Sequence, residues 1–136
     1  RLDADSTGLI LLTNDGELAN RLTHPRYGVL RTYRVTLRRV VSGSQLRRLA
    51  RGVELDDGPT RPARVRRTGA RTLEITLREG RNRQVRRMAE AVGNEVVALR
   101  RVRFGSIKLG SLGEGEARRL GRAEIARLWK DSRPDG

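Results

Sequence analysis

Short apolar or alternating stretches recur along the chain and predict β-strands. These stretches are 8–13, 32–37, 63–67, 72–77 and 95–103. Gly69 is expected to join the third and fourth strands as an antiparallel pair. Because hairpins connect some strands and helical segments interrupt others, the pattern indicates an α+β fold rather than a parallel βαβ sheet.

Two helices are predicted in the first half of the chain. The segment 15–23 follows Asn14, which is predicted to be its N-cap, with Glu17 as the capping-box partner. The segment 45–51 has Ser42 or Ser44 as its cap, and a glycine follows it. A turn is predicted over 56–59, where two aspartates precede Gly-Pro.

Two more helices are predicted in the second half. One begins at Asn82 and places Val85, Met88, Ala89 and Val92 on one face, closed by a glycine at 93. The other covers 123–130, and the residues predicted to face inward are Ile125, Leu128 and Trp129. The tail from residue 131 is expected to fray.

The charge of the chain narrows the classes of function. Its 136 residues fit one domain and carry a formal net charge of +14, almost all from arginine, because only Lys108 and Lys130 are lysines. A GC-rich genome explains part of the arginine preference, but a net charge this large indicates a nucleic-acid partner.

The chain has no cysteine, which excludes disulfides and thiolate metal sites. It shows no apolar run of membrane-spanning length and no signal-peptide pattern, so we expect a cytoplasmic protein without membrane contact.

An acidic pair, Asp3 and Asp5, precedes the first apolar run. With Thr7 the pair matches the DxDxT signature of haloacid-dehalogenase phosphatases. In that family the motif ends a buried strand, whereas here the apolar run follows it, so we reject that assignment. Two interpretations remain for Asp3: a reactive carboxylate held at a strand, or a turn residue that caps backbone amides.

Arginines crowd the start of the third predicted helix. The segment 79–88 reads EGRNRQVRRM, and its guanidinium groups gather at a helix N-terminus, which already favours anions. A solvated basic face is the alternative interpretation. Tyr33 lies between arginines on a predicted strand, where its ring could stack on a nucleobase or pack in the core. His24 is the single histidine, with no second candidate ligand nearby, so it does not predict a metal site.

In this order, the segments resemble the motifs of pseudouridine synthases, specifically the RsuA/RluB type that modifies bacterial ribosomal RNA. Residues 1–16 (RLDADSTGLILLTNDG) are similar to the catalytic motif, 31–35 (RTYRV) to the tyrosine motif and 79–88 to the third motif. The segment 102–105 (VRFG) resembles the strand that follows. The resemblance extends from residue 1 to about residue 128.

The resemblance implies the pseudouridine synthase fold, a mixed, mainly antiparallel sheet with flanking helices and an RNA-binding cleft. It implies that Asp3 is the catalytic aspartate, that Tyr33 stacks on the target base and that Arg86 is the partner of the aspartate. RNA contacts are expected from Arg1, Arg31, Arg81, Arg83 and Arg87. The chain departs from the pattern at Arg83, where many relatives have histidine.

Members of this family usually carry an N-terminal RNA-binding domain and further strands before the aspartate motif. We therefore expect residues 1–136 to be a catalytic domain truncated at its N-terminus, and whether it is active alone stays open. The implied reaction converts uridine in ribosomal RNA to pseudouridine without a cofactor or a metal, and we expect a monomer. Whether the aspartate attacks the sugar, attacks the base or removes a sugar proton is left open. The alternative from another class is a non-catalytic RNA-binding or ribosome-assembly protein.

Overall fold

A six-stranded mixed sheet forms one layer of the protein, in a computed structural model that describes residues 1–133. The strands are β1 (Thr7–Gly8), β2 (Arg31–Leu37), β3 (Glu54–Leu55), β4 (Gly58–Pro59), β5 (Arg64–Arg67), β6 (Thr72–Leu77), β7 (Val96–Phe104) and β8 (Ile107–Lys108). The sheet order is β1-β7-β2-β6-β5, with β8 paired to β7, while β3 and β4 form a separate two-stranded hairpin. The β1–β7 pairing is parallel and the others are antiparallel, as a mixed α+β sheet requires.

Four α-helices and one turn of 3₁₀ helix connect the strands. They are α1 (Gly16–Thr23), the 3₁₀ turn (Pro25–Tyr27), α2 (Gly43–Arg51), α3 (Gln84–Ala91) and α4 (Arg122–Asp131). Ser42, one of the two predicted candidates, caps α2 through a complete capping box with Gln45. None of the helices within residues 1–133 is long and apolar enough to cross a membrane.

The helices cover one face of the sheet, here called the helix side. Val35 and Leu37 of β2 alternate with exposed or half-buried residues, as expected for a strand with one buried face. A first core cluster joins β2, β6 and β7 to α2 and α3, and a second joins Phe104 of β7 to α1 and α4. The opposite face, here called the outer face, carries the intervening polar residues of the same strands.

Several predicted strands and turns are confirmed, and the first strand is wrong. The strands at 32–37, 63–67, 72–77 and 95–103 are present within two residues of their predicted ends, and 56–57 forms the turn between β3 and β4. The predicted buried strand 8–13 is reduced to β1, and Leu12 beyond it is 88% exposed. Only Thr7 and Gly8 pair with β7, so the rest of the apolar run lies outside the sheet.

The helix ends also differ from the prediction. Asp15, not Asn14, caps α1, since its carboxylate accepts hydrogen bonds from the backbone amides of Glu17 and Leu18. On α4, Leu128 is buried as predicted, but Ile125 is exposed because this short helix buries only a narrow stripe. The predicted fraying does not begin at residue 131: Ser132 is fully buried, and residues 134–136 lie outside the described part.

Candidate functional site

The acidic loop is held against the sheet by a close backbone approach. The backbone amide of Ser6 donates to the carbonyl of Asp3 at 3.0 Å, which closes a turn just before β1. Gly8 follows with φ of +110°, and a Cβ there would lie 2.2 Å from the carbonyl oxygen of Arg101. Because only glycine tolerates both the conformation and the contact, Gly8 fixes where the loop leaves the sheet.

Asp5 anchors this loop to the start of α3. Nη1 and Nη2 of Arg83 donate to the two carboxylate oxygens of Asp5, each at 3.1 Å. Nη2 of Arg86 donates to the backbone carbonyl of Asp5 at 2.8 Å, and its Nε lies 3.5 Å from the carboxylate. The fork of Arg83 and the buried stem of Arg86 thus hold both the side chain and the backbone at this position.

The ion pairs at the loop shift the ionisation of both partners. The hydrogen bonds from Arg83, and then the charge of Arg86, lower the pKa of Asp5 despite some desolvation. The pKa of Arg83 is raised, mainly by its hydrogen bonds to Asp5 and to a smaller extent by the charge of Asp3. The Asp3 carboxylate therefore lies within electrostatic reach of the helix start.

Arg83 occupies an unusual backbone conformation. It is the N-cap of α3 with φ of +50°, and within residues 1–133 it is the one non-glycine residue with positive φ. A side chain in this left-handed region costs about 1–2 kcal/mol. The prediction that the helix begins at Asn82 is thus off by two residues, and the bend at Arg83 directs its guanidinium towards Asp5.

Glu79 and Gln84 brace this helix start from within. The half-buried Glu79 carboxylate accepts a hydrogen bond from Nε2 of Gln84 at 2.9 Å, and Oε1 of Gln84 accepts one from the amide of Arg81 at 3.0 Å. Gln84 is buried, so its satisfied amide group fixes the turn before α3.

Arg81 and Arg87 hold a second loop rather than standing free. Nη1 of Arg81 and Nη1 of Arg87 donate to Oδ1 of Asp57 at 3.1 and 2.9 Å. Arg81 also donates to the carbonyls of Gly58 and Pro59, so it ties the β3–β4 hairpin to α3. Both were predicted to contact RNA, and the structure shows each of them already paired within the protein.

Arg31, another predicted RNA contact, is buried inside the helix side. It is 7% exposed and donates to the backbone carbonyls of Val29 and Leu22, both at 3.2 Å. A Cβ on Gly80 would lie 3.3 Å from its guanidinium, so a side chain at position 80 would crowd this buried group. The guanidinium is thus bound within the protein, and RNA contact from Arg31 stays a prediction. Arg1, by contrast, is exposed.

Arg101 is a buried residue of the site that the sequence analysis missed. It is 3% exposed, and its Nε donates to the carbonyl of Leu9 at 2.9 Å. Arg101 and Arg31 lie over the ring of Phe104 at 4.9 and 5.1 Å, and no carboxylate within residues 1–133 forms an ion pair with either. Burial lowers the pKa of Arg31, and the charge of Arg101 lowers it further, although Tyr33 opposes this. The sequence signal was weak: Arg101 is one arginine among many in an alternating strand.

Tyr33 lies in the same row of the sheet as this buried cation. Gly8, Arg101 and Tyr33 are direct neighbours across β1, β7 and β2, so Tyr33 is about 10 Å from the end of the acidic loop. The tyrosine is half-buried against the first core cluster, which is the core role left open by its sequence, and part of it stays accessible on the helix side.

The structure therefore brings Tyr33 and Arg86 to the helix side of the sheet but pairs Arg86 differently from the prediction. Arg86 contacts Asp5 and, among the described residues, forms no ion pair with Asp3. The reason is geometric: the turn that starts at Asp3 carries Asp5, not Asp3, to the helix start.

No group of three or more His, Asp or Glu residues within 1–133 could hold a metal ion.

Comparisons with known proteins show which family the chain belongs to. A family model described as RNA pseudouridylate synthase matches residues 1–91. The chain is 43% identical over 134 residues to the ribosomal large subunit pseudouridine synthase B of Bacillus subtilis, covering 94% of this chain and 55% of that protein. The chain belongs to the RNA pseudouridine synthase family. It is also 50% identical over 113 residues to the protein of the same name from Salmonella typhi, covering 80% of this chain and 39% of the relative.

A solved structure of a pseudouridylate synthase superposes with a TM-score of 0.90 at 42% identity, over 93% of this chain and 56% of that one. The family resemblance and the pseudouridine synthase fold, predicted from the three motifs, are therefore confirmed. The chain spans about half the length of the pseudouridine synthases that it matches.

Proposed function

We propose that the protein converts specific uridines of ribosomal RNA to pseudouridine, with Asp3 as the catalytic carboxylate. The observation that carries the proposal is the turn from Asp3 to Ser6, which Arg83 and Arg86 fasten to the start of α3 through Asp5, in a chain 43% identical to a ribosomal large subunit pseudouridine synthase B. A non-catalytic RNA-binding protein would give this carboxylate no task.

The reaction breaks the N1–C1′ bond of uridine and rejoins the base to C1′ through C5. The proton at C5 leaves and N1 ends protonated, so the composition of the nucleotide does not change and no redox partner is needed. A uridine in folded RNA is unstacked first, at a cost of a few kcal/mol. In our proposal, Tyr33 offsets part of this free-energy cost because its ring stacks on the flipped base.

Asp3 acts in its ionised form, as a nucleophile or as a base. The buried pair Arg31 and Arg101 supplies positive potential on the helix side of the sheet, which in this proposal stabilises the negative charge of an anionic uracil. Arg86 acts as a positioning residue in this proposal, since it holds the loop through the carbonyl of Asp5. A displacement of about 1 Å of the loop would cost about a hundredfold in rate.

The test is Asp3→Asn in the full-length protein, with Asp5→Asn as the matched control. Asparagine keeps the size of aspartate but supplies neither nucleophile nor base, so we expect Asp3→Asn to fold, to bind RNA and to form no detectable pseudouridine. Asp5→Asn removes an exposed ion pair but not the backbone contact with Arg86, so activity should fall by about fivefold or less. Pseudouridine is measured by mapping and mass spectrometry of ribosomal RNA. Full turnover by Asp3→Asn would exclude Asp3 as the catalytic residue.

A further inference from the structure

The outer face of the sheet carries a basic groove that the catalytic proposal does not use. No helix of the described residues packs on this face, and the groove has a volume of about 470 Å³. Its basic lining residues are Arg34, Arg64, Arg66, Arg100, Arg103 and Lys108. Among the described residues that line it, Glu74 alone is acidic. The groove lies on the opposite side of the sheet from Tyr33 and the Asp5–Arg83 pair.

The strand register arranges these cations in two rows. In one row, Arg100, Arg34, Glu74 and Arg66 are successive neighbours across β7, β2, β6 and β5. A parallel row runs from Lys108 through Arg103 and two threonines to Arg64. The rows are two residues apart along β2, or about 7 Å, and neighbouring positions within a row are about 5 Å apart.

Like charges face each other in both rows. Arg34 lies directly opposite Arg100, and Arg103 directly opposite Lys108. Such cross-strand pairs of like charge destabilise a sheet unless anions compensate them. The Glu74 carboxylate compensates this positive charge only locally. Its Oε1 lies 2.7 Å from Nη2 of Arg66, and its Oε2 lies 3.7 Å from Nη2 of Arg34.

Several of these cations have no partner in the part of the chain that the structure describes. Arg64, Arg100 and Lys108 are exposed, and within residues 1–133 none of them forms a side-chain hydrogen bond or ion pair. In the centre of the groove, the hydroxyls of Thr32 and Thr76 are 2.9 Å apart and add donors between the cationic ends. Guanidinium groups on both sides of hydroxyl groups provide the hydrogen-bond donors that phosphate oxygens accept.

We propose that this outer face binds the phosphodiester backbone of the RNA substrate at a site separate from the target nucleotide. The inference rests on the proposed function in that it takes RNA as the substrate. Charge complementarity favours RNA over an acidic protein segment, because a protein partner would need apolar anchors. Val102 and Leu109, which line the groove, are both half-buried and offer little apolar area. No aromatic ring lines the described groove, so the contact reads the backbone and not the bases.

The test compares two double variants of the full-length protein that remove equal charge. Arg64→Gln with Arg100→Gln removes unpaired cations from the two ends of the groove. Arg47→Gln with Arg51→Gln removes exposed cations from α2, on the helix side. The affinity for a ribosomal RNA fragment is measured against salt concentration, and a third variant, Arg64→Lys with Arg100→Lys, retains the charge.

Two lost phosphate contacts should reduce the magnitude of the salt slope by about 1.4–1.8 for the groove variant. Its affinity should be about 25- to 60-fold weaker at 0.1 M salt and approach that of the wild type near 1 M. The lysine variant should keep the slope, and the α2 variant should change it by less than about 0.5. Equal slopes for the groove and α2 variants would overturn the inference, since only the total charge would then matter.

Two further readouts separate this inference from the proposed function. Pseudouridine formation by the groove variant at saturating RNA should equal that of the wild type, because the groove does not contact Asp3. Suppose that the wild-type protein forms no pseudouridine while the groove variant still shows a smaller salt slope of RNA binding. In that case the catalytic proposal fails and the binding site stands. If the groove variant instead lowers the melting temperature and leaves RNA binding intact, the face is covered by the protein's own polypeptide and the inference is overturned.

Discussion

The two faces of the sheet both carry arginines, but in different surroundings. On the helix side, Arg83 and Arg87 bind carboxylates, and Arg31 and Arg101 lie over an aromatic ring and donate to backbone carbonyls. On the outer face, Arg100 is exposed and unpaired among the described residues. These helix-side arginines therefore hold the site together, while outer-face arginines such as Arg100 remain available to a partner. Net charge alone does not distinguish these two roles.

The largest expected effect is the salt dependence of RNA binding, which measures how many cations are available. If about five phosphates are neutralised, log K against log[salt] should slope near −3.5 to −4.5, a loss of roughly 130- to 500-fold between 50 and 200 mM salt. Affinity measured by filter binding or fluorescence anisotropy checks this. An affinity that barely changes would mean that the outer-face arginines do not bind phosphate and that the comparison has no functional meaning.

Neighbouring residues of β7 offer the sharpest stability test. Arg101→Ala removes a buried side chain, leaves the carbonyl of Leu9 without its donor and should cost about 3 kcal/mol of the free energy of unfolding. Arg100→Ala, one residue earlier and on the outer face, should change it by less than about 0.5 kcal/mol. Urea unfolding of both variants measures the difference. Equal effects would show that burial of the helix-side arginine contributes nothing.

Arg86 and Arg83 contact the same aspartate but should differ in kinetics. Arg86→Ala removes the donor to the carbonyl of Asp5 and should lower the single-turnover rate at saturating RNA by about a hundredfold, because the loop that carries Asp3 moves. Arg83→Ala should weaken RNA binding by about 1 kcal/mol and leave the chemical step nearly unchanged. Stopped or quenched single-turnover assays separate rate from affinity. The same defect in both variants would reduce Arg86 to one more phosphate contact.

The smallest expected effect is the acid sensitivity of the start of α4. Hydrogen bonds from Arg118 and from the Gly121 amide lower the pKa of Glu124 from 4.5 to about 2. A depressed pKa means that the stabilisation is fully present above pH 4.5 and is lost as the pH falls towards 2. The difference in unfolding free energy between the wild type and Glu124→Gln should therefore shrink over this range. A difference that is independent of pH would contradict the depressed pKa.

Local patterns were sufficient for much of the fold. The strands β2 and β6, a serine cap for α2 at Ser42 or Ser44 and the apolar face of α3 each depend on residues close in sequence, and all were predicted. The first strand was wrong because an apolar run does not reveal how much of it finds a neighbour. Leu12 illustrates this, since it lies in an apolar run and is nevertheless exposed.

The site divides along the same line. The motifs around Asp3, Tyr33 and Arg86 were recognisable because chemistry constrains residue type at short spacing, and they were enough to identify the family. Which aspartate meets Arg86, and which arginines are buried, depended on residues about 80 to 90 positions apart in the chain. An arginine has the same charge and the same local signature whether it faces solvent or lies on Phe104. The sequence by itself therefore determined the family, the four longer strands of the sheet and the catalytic candidates. Only the tertiary structure decided which cations are paired, because pairing and burial are set by register across the sheet.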